Sequence, residues 1–153
     1  MGLKSVTSLY VHWCTAEAVK QFICLPLPAA ASAGRAETMP AGLTLAVEQL
    51  SVITRLQIWY ALLHVVVEGY QQLEEKDAAV DALLANQEMV AAMKGFQTAL
   101  FQPQEATLPD QQLRFMACPG SEHWPHALNA ALQRYLESRI DVQAYIRQFT
   151  NAL

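Results

Sequence analysis

The chain has 153 residues, enough for one domain with a sizeable core. Hydrophobic residues make up 53% and charged residues only 16%, which excludes an intrinsically disordered chain. The net charge of −4, without a basic stripe, counts against binding to phosphate backbones, although Arg134, Arg139 and Arg147 leave room for a local patch.

In chain order, Ser5 to Ile23 reads as a first helix, with Leu9, Trp13, Ala16 and Ile23 at helical spacing. The run Leu25-Pro26-Leu27-Pro28 stops it. Residues 25–42 are rich in Pro, Gly and Ala and read as a flexible connector, so residues 1–42 are expected to form an arm hinged to a bundle over residues 43–153. Lys4 and Ala31-Ser32-Ala33 have the look of a signal peptide, but His12, Glu17 and Lys20 interrupt the apolar stretch. Cys14, Cys24 and Cys118 are odd in number and irregularly spaced, which fits free thiols and a cytoplasmic setting.

Leu43 to Leu73 is the longest helical signal. It is apolar nearly all round between Ile58 and Val67, as a central bundle helix would be. That window, bounded by Arg55 and Glu68, falls short of the roughly 20 residues of a membrane span, so no membrane is expected. Asp77 and Asn86 are N-cap candidates for helices Ala78 to Ala85 and Gln87 to about Phe101. Residues 104–120 read as a loop with one helical turn around Gln111 to Met116, closed by the turn Pro119-Gly120. A last helix is expected from Ser121 or Glu122 to Phe149. The fold class is all-α: an up-and-down bundle of about four main helices with an N-terminal helical arm.

Four constellations carry candidate chemistry. His64 and Glu68 share a helix face with Tyr60, a spacing that suits two ligands or an acid/base pair, or simply a buried His held by Glu68 or Tyr60. Cys118, His123 and His126 crowd one turn, with His12 and Cys14 as outside candidates, but they lack the paired spacing of zinc sites. No metal and no cofactor is therefore expected. Ser121, Glu122 and His123 are adjacent in sequence and cannot face one another as a triad. Trp13, Trp59 and Trp124 lie on three helices and read as core rather than as a ligand cage.

The stretch Lys94-Gly-Phe-Gln-Thr-Ala-Leu-Phe-Gln-Pro103 places Gln97, Thr98 and Gln102 among apolar residues. Together with Trp59-Tyr60, Val65-Val66-Val67-Glu68-Gly69-Tyr70 and Asp81-Ala-Leu-Leu84, it resembles a small bacterial family of HEPN-like helical bundles, over about Leu43 to Arg139. The resemblance implies a four-helix bundle that dimerises. In active members of that family an Arg and a His on one helix form a metal-independent ribonuclease site across the dimer. Here Gln97 falls at the Arg position, Thr98 at the polar position and Gln102 at the His position. Gln neither carries charge nor titrates in the working range, so this degenerate motif cannot stabilise phosphate charge or move protons as the family does. The expectation is a non-catalytic homodimeric interaction or regulatory module. The alternative is a nucleotide or small-ligand site, or residual RNA processing, at Tyr60, His64, Glu68 and Gln97 or Gln102.

Overall fold

A computed structural model describes residues 3–23, 25, 41–101 and 110–150. Seven α-helices, and no strand, occur among them: α1 (Leu3–Phe22), α2 (Ala41–Gln71), α3 (Ala78–Leu84), α4 (Gln87–Phe101), α5 (Asp110–Ala117), α6 (His123–Arg139) and α7 (Val142–Thr150). The four longest, α1, α2, α4 and α6, make the all-α bundle. Most of the expected connector, and with it Cys24, lies outside the described residues. Its end does not, since Ala41 and Gly42 open α2.

α2 is the axis of the fold. Trp59, Leu63, Val66 and Tyr70 are fully buried, so the β-branched run Val65-Val66-Val67 is held in a helix by packing rather than by propensity. α1 lies antiparallel to it. Leu9 sits on Gly69 near one end, where an added Cβ would come within 2.6 Å of Leu9 Cδ1. At the other end Arg55 donates to the carbonyls of Phe22 and Leu25, satisfying orphan acceptors where α1 stops. The carbonyls of Tyr70 and Gln71, at the end of α2, are met by Lys76 Nζ at 2.9 and 2.8 Å.

α1 packs into the bundle. It gives Leu9, Tyr10, Trp13, Ala16 and Ile23 to the same core as α2 and α6. A buried polar link ties it down: Trp13 Nε1 donates to Asn129 Oδ1 (3.1 Å), and Asn129 Nδ2 donates to Glu17 Oε2 (2.8 Å). Trp124 Nε1 on α6 donates to the Leu83 carbonyl at 3.1 Å. Each tryptophan is thus a core residue, as expected. Only Trp59 keeps a buried ring N–H without a partner, among the described residues.

Both expected N-caps form. Asp77 Oδ1 accepts from Ala79 and Val80, and Asn86 Oδ1 accepts from Met89 at 3.3 Å. Pro119-Gly120 turns the chain with Gly120 at φ 87°. Three expectations are corrected. The 104–120 region holds an eight-residue helix, α5, anchored by buried Phe115 and by buried Gln112, which accepts from Gln57 Nε2 at 2.8 Å. The last helix is two helices, because Ile140 turns extended and Asp141 caps α7 by accepting from Ala144 N–H at 2.9 Å. Finally, α2 is long and apolar enough over Leu45–Gln71 to cross a membrane by length and composition, where the shorter window had not been. A core helix of a bundle meets the same test.

The Asn129 link generates a stability prediction. Replacing Asn129 by Leu strands the Trp13 N–H in the core and should lower stability by about 2–3 kcal/mol, seen as an earlier urea midpoint with an unchanged slope. Burial pulls the Glu17 carboxyl up, but hydrogen bonds from Asn129, Gln21 and Lys20 outweigh it and leave the group below its usual value of 4.5. Glu17 therefore contributes stability at neutral pH that is lost as pH falls from 4.5 through its lower folded value. The Asn129→Leu protein should show a shallower acid-induced loss over that window.

Candidate functional site

The site begins on one face of α2, where Tyr60, His64 and Glu68 follow one another at four-residue steps. Opposite them α4 presents Phe96 and Gln97. His64 is only 3% exposed, and its Nδ1 lies 2.8 Å from Gln97 Oε1. Glu68 Oε2 stands 3.8 Å from the same nitrogen. With two oxygen acceptors facing it, Nδ1 is the protonated ring nitrogen and donates to Gln97. The carboxylate adds electrostatic orientation beyond hydrogen-bond reach.

The other candidates part company from this pair. Tyr60 is buried against Phe96 and Phe115, with ring centroids 5.0 and 5.5 Å away. Burial, helped by the charge of Glu122, pushes its phenol up to about 12, so it stays neutral at ordinary pH. Thr98 turns to solvent and donates to the Lys94 carbonyl of its own helix at 3.1 Å. Gln102 lies outside the described residues. Glu68 is half exposed and opens onto a polar groove of about 290 Å³ between α1 and α2, beside Ser8, His12 and Gln72. His64 and Gln97 do not line that groove. Among the described residues the motif and the α2 face thus meet at one point, His64 to Gln97.

The crowded turn before α6 also separates into distinct roles. Ser121 Oγ donates to the Met116 carbonyl at 3.2 Å and is buried, so it serves the turn. His126 packs on Trp59 with centroids 4.9 Å apart, and burial followed by the charge of Lys20 lowers its pKa. Cys118 lies beside α4 and α5, away from any such cluster. Among the described residues no three His, Cys, Asp or Glu side chains converge on a metal position. In the basic stretch, Arg139 pairs with Glu75 and lies over the Tyr135 ring at 5.5 Å.

The chain matches no family model, no curated protein and no solved structure. None of these comparisons supports the HEPN-like resemblance.

Sequence reasoning missed Asn129, whose signal was a lone amide between Leu128 and Leu132 on the apolar face of α6. It also missed the way α5 closes over α4. What the His64–Gln97 pair does chemically is limited and clear: it satisfies two polar groups in a core and fixes the register of α2 on α4. In a double-mutant cycle, Gln97→Leu alone should cost about 1–2 kcal/mol by stranding the imidazole N–H. Added to His64→Phe it should cost measurably less, and a coupling of zero would remove the pair as a structural contact.

Proposed function

We propose that this chain is a non-catalytic, HEPN-like helical bundle that acts as an interaction module and pairs with a second copy of itself in the cytoplasm. One observation carries the reading. None of residues 45–58 of α2 is fully buried, although Leu45, Val47, Leu50, Val52, Ile53, Leu56 and Ile58 lie there. Leu45 is 57% exposed and Leu50 45%. Where α1 gives out, Phe22 and Leu25 are exposed as well. Large apolar groups gathered at one end of a helix are a surface that gains from being covered. A self-associating two-fold contact covers it twice with a single patch.

The position of Gln97 supports the non-catalytic half of the proposal. Its amide is used inward on His64, so it does not stand ready for phosphate. The ligand-site alternative ranks second, because the Nδ1 of His64 is already held by Gln97 and the pair lines neither the α1–α2 groove nor the recess beside α4 and α5.

Light scattering at micromolar concentration should give twice the chain mass. Leu45→Glu with Leu50→Glu should weaken the pairing by about 10- to 100-fold while leaving the helical signal intact. A wild-type monomer under those conditions would overturn the pairing. In a generic single-stranded RNA assay no cleavage is expected. Cleavage abolished by Gln102→Ala would contradict the non-catalytic reading.

A further inference from the structure

A recess of about 280 Å³ opens between α4 and α5, with no α2 residue in its lining. Its apolar side is built by Met89 and Phe115, both buried, and by Ala92, which is half-buried. Glu88 from α4 and Arg114 from α5 are its exposed charged residues, one of each sign on facing helices, and the partly buried free thiol of Cys118 also lines it. Each charge complements its own helix dipole, with Glu88 in the first turn of α4 and Arg114 in the last turn of α5. Neither forms an ion pair or a side-chain hydrogen bond with a described residue. The recess therefore offers an apolar wall with an anion and a cation beside it, neither paired with a described residue.

We propose that this recess binds a small zwitterion carrying an apolar side chain, the chemical class of a free α-amino acid. The ligand's ammonium faces the Glu88 carboxylate. Its carboxylate takes the paired N–H donors of the Arg114 guanidinium, a geometry suited to bidentate contact. Its side chain covers Met89, Ala92 and Phe115. A purely apolar guest would leave both charges unmatched, and a singly charged guest would leave one. The volume lies just under the roughly 300–1,000 Å³ of drug-sized pockets, which sets the ligand class at the size of a single amino acid.

Cys118 is a built-in reporter. Its alkylation by iodoacetamide can be followed by peptide-resolved mass spectrometry, separately from Cys14 and Cys24. Leucine, methionine and phenylalanine should slow modification of Cys118 about tenfold at roughly ten times their Kd, with the rate at Cys14 unchanged. Glycine, the amino-acid amides and the N-acetyl amino acids should protect far less. Glu88→Gln and Arg114→Gln, both at exposed positions, should each remove most of the protection while lowering the thermal midpoint by only a few degrees, through the lost helix-dipole contact. The proposal fails if no amino acid protects Cys118 at millimolar concentration. It fails equally if the capped derivatives protect as well as the free zwitterions.

Discussion

From Trp59 to Tyr70, helices on several sides bury α2. From Leu45 to Ile58 the same helix continues with seven large aliphatic residues among more polar ones, and no residue there is fully buried. A helix of 31 residues is about 46 Å long, while α1 offers 20 residues and α4 only 15 to cover it. Arg55 marks the limit of cover on one side, because it caps α1 where that helix stops. Full burial of a leucine gives about 1.5–3 kcal/mol, so covering the exposed halves of Leu45 and Leu50 would add about 1.5–3 kcal/mol together, a useful share of a domain's net stability. The mismatch in helix length is what makes the proposed pairing energetically reasonable.

The polar groups inside the bundle act as register pins. His64 meets Gln97 across α2 and α4, Trp13 meets Asn129 across α1 and α6, and Gln57 meets Gln112 across α2 and α5. Leucine-rich surfaces can slide past one another at little cost. A buried donor that has one acceptor in reach cannot, because displacement leaves it unsatisfied. Two of these contacts give the long, apolar α2 a fixed place against α4 and α5, and the third fixes α1 against α6.

Much of this fold was legible in the sequence, and the failures have physical causes. The helical periods, the N-caps Asp77 and Asn86 and the turn at Gly120 are local signals, encoded within a few residues, and each appears in the structure. The break at Ile140–Asp141 is short, and Tyr145 and Ile146 resume the apolar period beyond it, so periodicity ran through it unseen. Asp141 was the cue, as an N-cap type in mid-pattern. α5 was read as a single turn because the residues that hold it, Gln112, Phe115 and Met116, find their partners on other helices. The site was legible only in part. Gln97 stood out as a polar gap, but its partner His64 is 33 residues away, and spacing in sequence carries no information about that distance. The α4–α5 recess was invisible for the same reason, since Glu88, Arg114 and Cys118 converge only after three elements have packed.

The central claim is that the half of α2 covered only in part by its own bundle is covered by a second copy. Amide hydrogen exchange across α2, measured from nanomolar to tens of micromolar protein, tests it most directly. Protection over residues 45–58 should rise with concentration, while residues 59–70 stay strongly protected throughout. Exchange over residues 45–58 that is the same at every concentration would contradict the account.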